Sequence, residues 1–322
     1  MEELIRQCNN GIKDGGKSIL VIGGSYFYGR VFVMQAAKKH RVTVVNRGTY
    51  SMEELGANQI TGDRRDGSLW ENITEDYDVV VDFCAYEPGD IRLVLEHLKG
   101  KVKQYIFIST VDVYQRGISG CKGEETPLEY RSIPGEAGAY IGGKVALEQE
   151  VRIECEKHQV AATVLRPAIL YGPYNYAPRE SVFIQMMVQN HILPQITDAT
   201  GRFQFVYVGD AAEAIEKCLL NSKTYGQSYN LCGDEIVDYE RFFEELTKAA
   251  EYEIHHIPLT LQEMESKGLP LPFPTKEEET ELYANEKSKT ELGMEYISLP
   301  EGIKRTYRAF ARVFSDSIAV SK

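Results

Sequence analysis

The chain has 322 residues, of which 43% are apolar and 10% aromatic, and its formal net charge is −12. This length and composition suit one large domain or two smaller ones. The acidic balance argues against non-specific binding to nucleic acid or to an anionic membrane surface. No apolar run has the length of a membrane span, and the first residues lack the apolar centre of a secretory signal.

The cysteines are scattered along the chain and form no C-x-x-C pair. Such spacing indicates reduced thiols, not a disulfide framework, and predicts a cytoplasmic protein. His255 and His256 are adjacent but have no third ligand at a suitable spacing. We therefore expect no metal site.

Short apolar runs alternate with helical patterns through the first two-thirds of the chain. The predicted strands are residues 18–22, 42–45, 78–83, 104–109 and 161–165, and the helices between them are 29–39, 89–100 and 139–158. Continuous Val and Ile runs bounded by turn residues are typical of strands buried on both faces. Their alternation with helices predicts right-handed βαβ units and an α/β fold with a doubly wound parallel sheet.

This alternation stops at Tyr171-Gly172-Pro173, after which Pro, Asn and Tyr are frequent. Residues 203–220 predict one further strand and helix that return to the sheet. The predicted organisation is a flexible leader over 1–16, a Rossmann domain over 17–172 and 203–232, and a smaller irregular substrate-binding domain over 173–202 and 233–322.

The first strand runs into a glycine turn, GGSYFYG, which precedes a predicted helix. In a dinucleotide-binding turn, glycines permit a tight bend and a close approach of the helix to the pyrophosphate, and Gly23 and Gly29 fit these roles. The usual middle glycine is replaced by Tyr26. We predict a modified cofactor site in which Ser25 donates to a phosphate and Tyr26 and Phe27 contact the dinucleotide.

Asn46 and Arg47 follow the second predicted strand, where NAD-binding folds usually have an acidic residue for the ribose hydroxyls. An arginine at this point favours the 2′-phosphate of NADP. The pair therefore favours NADP(H), and NAD(H) is the alternative cofactor. If the segment binds no ligand, Asn46 and Arg47 simply form a solvated turn.

Tyr140 and Lys144 stand four residues apart on one predicted helix, so their side chains share a face. A nearby ammonium group lowers the pKa of a phenol, which allows the phenol to exchange a proton near neutral pH. Thr110 ends an earlier predicted strand at the carboxyl edge of the sheet, where ligands bind in open α/β folds. The three residues predict a site for proton transfer.

The order of the segments GGSYFYG, NRG, GDRRD, STVDVY, YIGGK, LRPAILYGP and FVYVGD resembles the extended short-chain dehydrogenases/reductases, the NAD-dependent epimerase/dehydratase group. The resemblance covers roughly residues 17–310. The NRG segment and the missing middle glycine are closer to an atypical branch that includes the chloroplast stem-loop RNA-binding proteins.

The resemblance implies that Tyr140 is the catalytic acid/base, that Lys144 holds the nicotinamide ribose, and that Thr110 hydrogen-bonds the reacting oxygen. It also implies a homodimer through the helix that carries Tyr140, with monomers among the atypical members. The further cofactor contacts that it implies are Asp63, Arg64, Ala85 and Pro167. Arg202 matches a substrate-phosphate arginine, with a solvated surface arginine as the alternative.

The residues after Thr110 bear on the reaction, because the dehydratases of this group have Asp and then Glu there. This chain has Val111, which cannot supply a proton, and then Asp112. Dehydration is therefore disfavoured. Asp112 is expected to orient a substrate hydroxyl or act as a base, with capping of the following turn as the alternative.

The resemblance thus implies hydride transfer on a nucleotide-activated sugar or a similar polar carbonyl or hydroxyl compound, by an epimerase or a ketoreductase. The alternative is an RNA-binding or redox-sensing relative that keeps the nucleotide fold without turnover. Its RNA-binding form is opposed by the charge of −12. A sensor, moreover, does not require Thr110, Tyr140 and Lys144 together.

Overall fold

All five predicted strands form in the computed structural model, which describes residues 15–320 and their side chains up to residue 315. Residues 1–14 of the predicted leader lie outside the described residues. The strands are β1 Ser18–Ile22, β2 Arg41–Asn46, β3 Asn58–Thr61, β4 Tyr77–Asp82, β5 Val102–Ile108, β6 Cys121–Lys122, β7 Ala161–Pro167, β8 Ile169–Tyr171, β9 Ile192–Ile196, β10 Phe203–Tyr207, β11 Gln227–Leu231, β12 Ile236–Val237, β13 His255–Leu259 and β14 Leu282–Tyr283.

The helices of the described residues flank these strands. They are α1 Phe27–Ala36, α2 Gly67–Glu71, α3 Asp90–His97, α4 Gly135–Lys157, α5 Glu180–Asn190, α6 Val208–Cys218, α7 Tyr239–Ala249, α8 Leu261–Ser266, α9 Glu286–Leu292 and α10 Leu299–Val320. Single 3₁₀ turns occupy Glu53–Leu55, Val111–Val113, Ser222–Thr224 and Glu277–Glu279.

A seven-stranded sheet in the order β11-β7-β5-β4-β1-β2-β3 forms the centre of the molecule, and all its neighbouring strands are parallel. Successive residues of β1 enter two different hydrophobic cores. Ile19 and Val21 belong to one of them, while Leu20 and Ile22 belong to the other. This burial on both faces explains the continuous apolar runs and confirms the doubly wound parallel sheet.

The prediction that residues 203–207 return to this sheet is wrong. That strand, β10, pairs instead with β8 and β12 in a separate three-stranded sheet. The main sheet is instead completed by β11, which lies at its edge beside β7. The two strands pair from Gln227↔Thr163 to Leu231↔Pro167. Hydrophobic periodicity identifies a strand but does not reveal which strand it pairs with. The sequence of β11, QSYNL, is too polar for its pattern to predict a strand.

A separate hydrophobic core forms beside the sheet, mostly from the second half of the chain. Its centre is aromatic: Phe203 stacks on Phe273 at 4.7 Å between ring centroids, and Phe205 meets the edge of the same ring at 5.1 Å. The stretch 171–204, expected to be irregular, contains the regular elements α5 and β9. The domain boundaries stay a prediction.

Within residues 15–320, no helix combines the length and the apolar composition that crossing a bilayer requires. The same residues hold no cluster of three His, Cys, Asp or Glu side chains suited to a metal ion. His255 and His256 begin strand β13 and are exposed.

Candidate active site

A cleft of about 970 Å³ lies over the carboxyl ends of the central strands. Residues that follow β1, β2, β4 and β5 line it, as does Pro167 at the end of β7. Ligands of open α/β sheets bind at this edge. The fold therefore brings the glycine turn, the NRG segment and the Thr110–Tyr140 region to one cavity.

The glycine turn bends sharply where β1 meets α1. Gly23 and Gly24 have φ angles of +93° and +78°, which side-chain-bearing residues rarely adopt. A Cβ on Gly29 would lie 2.5 Å from the Cα of Gly24, so only glycine lets α1 approach the turn this closely. Phe27 lines the cleft with an unusual φ of +35°, and such backbone strain is common at ligand sites.

Ser25 is held in the turn by Asn46, whose Nδ2 donates to its Oγ at 2.9 Å. The Ser25 hydroxyl therefore keeps its own proton for a ligand. The Asn46 Oδ1 accepts from the Gly48 backbone N–H at 2.9 Å, which fixes the start of the next loop. Asn46 thus joins the glycine turn to the NRG segment.

Tyr26 lines the mouth of the cleft and is 48% exposed. Its ring meets the rings of Tyr50 and Tyr176 edge-on, at centroid distances of 5.1 and 5.8 Å. Tyr50 follows β2, whereas Tyr176 follows β8 on the far side of the cleft. Tyr26, at the usual position of the middle glycine, therefore links the glycine turn to the opposite wall of the cleft.

We expect Tyr26→Gly to weaken dinucleotide binding by about five-fold, because a lost aromatic contact is worth about 1 kcal/mol. Tyr26→Phe should retain most of the affinity, since the ring contacts remain. Fluorescence titration with NADH and NADPH measures both effects. Tyr225→Gly is the control, because Tyr225 follows a 3₁₀ turn and does not line the cleft. Unchanged affinity in Tyr26→Gly would make Tyr26 only a tolerated replacement.

Arg47 lines the cleft and makes no hydrogen bond or ion pair with the described residues. Asp63 lines it too, and its carboxylate accepts from the Arg65 backbone N–H at 2.9 Å. Both predicted contacts thus remain available to a cofactor.

Arg64 lines the cleft, but its guanidinium group is already paired. It donates twice to the buried Asp82 carboxylate, at 2.7 and 2.9 Å. Burial alone would raise the pKa of Asp82, but Arg64 and the Tyr105 hydroxyl hold it below its usual value. The predicted role of Arg64 as a cofactor contact therefore competes with a structural ion pair.

Lys144 is buried in the wall of the cleft, where its Nζ donates to the Ala85 and Ile108 carbonyl oxygens, both at 2.9 Å. The ammonium also lies 4.8 Å from the ring centroids of Tyr86 and Phe107. Burial lowers the pKa of Lys144 to about 8. Lys144 therefore keeps its charge at neutral pH but loses it as the pH rises through 8. Ala85 contributes its carbonyl group to this arrangement.

Tyr140 lines the cleft and is 42% exposed, and its hydroxyl interacts with the Thr110 side chain. The expected lowering of its pKa by Lys144 is not found. Desolvation by burial and the nearby Asp112 carboxylate raise the pKa of Tyr140 above its usual value, against a smaller lowering by Thr110. The shared helix face does not bring the ammonium group to the phenol, because two backbone carbonyls hold Lys144.

Asp112 lies in the 3₁₀ turn that Thr110 caps. The Thr110 hydroxyl accepts from the Asp112 N–H at 3.2 Å and lies 3.1 Å from its carboxylate. Thr110 is therefore the cap of this turn, while the Asp112 carboxylate accepts from the side chains of Thr110 and Arg116. The Asp112 carboxylate pairs with Arg116 at 3.0 Å, inside the cleft.

The cleft also includes residues that no sequence motif identified. Arg116 comes within 3.9 Å of Glu281, which also contacts the buried Lys122. Pairing of β6 with β14 brings these distant segments together, so no local pattern announces them. The other such residues that line the cleft include Tyr176, Arg179, Gln204, Pro272, Glu279 and Tyr283.

Arg202, the predicted substrate-phosphate residue, does not line the cleft. Its guanidinium group donates to the Glu277 carboxylate at 2.5 and 3.3 Å in an exposed ion pair. The two residues after it, Phe203 and Gln204, do line the cleft. The structure therefore does not bring Arg202 together with the other predicted site residues.

The chain resembles known proteins in sequence along most of its length. It is 26% identical over 317 residues to the chloroplast stem-loop binding protein of 41 kDa b of Arabidopsis thaliana, covering 90% of this chain and 78% of that protein. It is also 26% identical over 253 residues to the low-salt glycan biosynthesis protein Agl12 of Haloferax volcanii, covering 69% of this chain and 79% of that protein.

Among solved structures, the UDP-glucose 4-epimerase of Thermotoga maritima with UDP-glucose superposes with a TM-score of 0.72 at 21% identity, covering 92% of this chain and 99% of that chain. The UDP-glucuronic acid 4-epimerase of Bacillus cereus, in complex with UDP-glucuronic acid and NAD, gives 0.70 at 20% identity, with the same coverages of 92% and 99%. These likenesses show the fold.

The family model described as the NAD dependent epimerase/dehydratase family matches residues 19–232. This range begins in β1 and ends just after β11, so it includes the glycine turn, Thr110, Tyr140 and Lys144. The chain therefore belongs to the NAD-dependent epimerase/dehydratase family.

Proposed function

We propose that the protein is an NAD(P)-dependent epimerase that transfers hydride reversibly at a carbon of a nucleotide-activated sugar, with Tyr140 as acid/base. One observation carries this proposal: Tyr140, Lys144 and Thr110 lie around the same cleft as the glycine turn. A binding module would not require this combination.

The residues of the cleft suit a dinucleotide. The Ser25 hydroxyl has a proton to donate, Arg47 has no partner among the described residues, and Gly23 and Gly29 allow the tight turn. A bound nicotinamide ring would supply the hydride acceptor.

The protein's part of the chemistry is proton transfer. Tyr140 would take the proton of a substrate hydroxyl as that carbon is oxidised and return it on reduction, while Thr110 would orient the same oxygen. The Lys144 charge would favour the phenolate once a ligand brings the groups together.

Two observations bear on the choice of reaction. Val111 is an apolar, buried residue at the point where a dehydration acid would be needed, which opposes water loss. Arg47 favours NADP(H) and so supports a ketoreductase as the second candidate, because such an enzyme consumes NADPH.

The cofactor released on denaturing the purified protein separates these candidates. An epimerase should release NAD⁺ in near-stoichiometric amount, since its cofactor is reduced and reoxidised on one substrate. A ketoreductase should be empty and take up NADPH. Chromatography and absorbance identify the nucleotide, and a chain that binds neither cofactor contradicts both proposals.

An RNA-binding role is the remaining alternative, because the Arabidopsis relative is named for stem-loop binding. The net charge of −12 opposes it. Tight binding of a stem-loop RNA at physiological salt, with no turnover of any nucleotide sugar, would favour this role over the enzyme.

A further inference from the structure

We propose that the loop over residues 172–179 is a strap that crosses the mouth of the cleft and must open for the dinucleotide to enter or leave. The loop joins β8 to α5 and meets the glycine turn from the opposite wall. This inference rests on the proposed function, because its ligand is the NAD(H) or NADP(H) of the same cleft. It assigns Tyr174 and Tyr176 a role in cofactor exchange.

The inner contact of the strap joins Tyr176 to the glycine turn. Tyr176 and Tyr26 both line the cleft, and their rings meet at 5.8 Å between centroids with 67° between their planes. Tyr50, which follows β2, packs edge-on against the same Tyr26 ring at 5.1 Å. Three rings from three different segments therefore close part of the mouth beside the turn that would hold the pyrophosphate.

The outer contact of the strap joins Tyr174 to helix α1. The Arg30 guanidinium carbon lies 5.4 Å from the centroid of the Tyr174 ring, which is a cation–π distance. Arg30 directly follows Gly29 in α1, and neither Arg30 nor Tyr174 is among the described residues that line the cleft. The loop is thus attached to the glycine turn and its helix at two points, one inside the cleft and one outside it.

The base of the loop is fixed by buried polar contacts. The fully buried Glu180 carboxylate accepts from the Gly172 N–H and from Asn175 Nδ2, at 2.9–3.0 Å. The Asn175 Oδ1 in turn accepts from the Ala177 N–H at 3.0 Å. Asn175 stands between the two tyrosines in the chain, so its anchoring holds both rings near the glycine turn. We therefore expect opening to break the ring contacts and not the base.

The contacts that close the strap are weak enough to break. Tyr174 and Tyr176 are 49% and 74% exposed, and their hydroxyl groups make no hydrogen bond with the described residues. An exposed aromatic or cation–π contact favours the closed state by about three- to five-fold. Two such contacts together favour the closed state by about ten-fold, which leaves a minor open population.

A strap of this kind changes rates and leaves affinity unchanged. If its contacts form equally in the free and bound protein, and the dinucleotide passes only when they are broken, the open fraction scales association and dissociation alike. The Kd, which is the ratio of the two rate constants, then stays constant. A residue that touches the ligand instead changes mainly the dissociation rate constant. Kinetics therefore separate the two roles.

The test follows exchange of NADH and NADPH on the full chain by stopped-flow fluorescence, with excess ADP-ribose to displace the bound nucleotide. We expect Tyr174→Ala, Tyr176→Ala and Arg30→Gln each to raise both rate constants by about three- to five-fold, with the Kd within about two-fold of the wild type. The double variant Tyr174→Ala, Tyr176→Ala should raise both by about ten-fold.

Arg30→Gln separates the strap from simple electrostatics. Loss of a positive charge by itself would slow the association of an anionic dinucleotide, whereas loss of the strap accelerates it. Arg305→Gln, in an exposed ion pair with Glu301, is the control for charge, and Tyr225→Ala is the control for loss of an exposed ring outside the cleft. Tyr26 is not varied, because it is also expected to contact the dinucleotide.

The inference is overturned if the strap variants exchange cofactor at the wild-type rate, if Tyr176→Ala accelerates dissociation alone, or if Arg30→Gln slows association. Any of these results in a chain that binds the cofactor leaves the proposed function intact. A chain that binds neither NADH nor NADPH contradicts both. Equal thermal unfolding temperatures exclude misfolding of the variants.

Discussion

Tyr140→Phe is expected to lower kcat by about 10²- to 10⁴-fold, which is the usual effect of losing a positioned acid/base. The affinity for the dinucleotide should change by less than about two-fold. Phenylalanine keeps the ring that lines the cleft and removes only the hydroxyl beside Thr110. Because Lys144 bonds to backbone carbonyls and not to Tyr140, its position should survive the change. The loss is therefore one of chemistry and not of folding.

The measurement is steady-state conversion of a nucleotide sugar, followed by chromatography of the sugar product. Tyr225→Phe removes a hydroxyl outside the cleft and serves as the matched control. Since burial and Asp112 raise the pKa of Tyr140, any activity that depends on the phenolate should increase as the pH rises toward 8, where Lys144 begins to lose its charge. Equal turnover by Tyr140→Phe and wild type would remove Tyr140 from the mechanism.

The central sheet could be predicted because its strands are buried on both faces and therefore consist of continuous apolar residues. Strand β3 escaped prediction because NQIT is short, polar and partly exposed. The polar β11 was missed for a similar reason, and β10 was assigned to the wrong sheet because a strand pattern carries no information about its partner.

For the site, motifs at strand ends were informative because parallel strands bring their carboxyl ends to one edge. In this way Thr110 and the glycine turn were placed together at the edge of the sheet, and both line the cleft. Arg116 and Glu281 were not placed there, because their proximity depends on a strand pair between segments far apart in sequence. Helical spacing likewise put Lys144 on the face of Tyr140 but could not reveal the carbonyl groups that hold its ammonium.

A buried ion pair beneath the active site supports the loop that carries Thr110. Arg166 on β7 and Glu148 on α4 have side chains that are only 2% and 1% exposed, and they meet at 2.5 and 2.8 Å. The Ser109 hydroxyl donates to Glu148 at 2.7 Å, and Arg166 donates to the Tyr114 hydroxyl at 2.8 Å. These bonds fix the chain on both sides of the Thr110–Asp112 turn.

We expect Arg166→Met to lower the free energy of unfolding by about 3–5 kcal/mol, because it leaves the Glu148 carboxylate buried without its partner. Urea denaturation measures the loss. The double variant Arg166→Met, Glu148→Met should recover much of it, since no buried charge then remains unpaired. Arg305→Met, in the exposed pair with Glu301, should cost at most about 1 kcal/mol. If Arg166→Met lowers the free energy of unfolding by less than about 1 kcal/mol, water or another group must compensate the buried charge of Glu148. The ion pair would then not anchor the turn that presents Thr110.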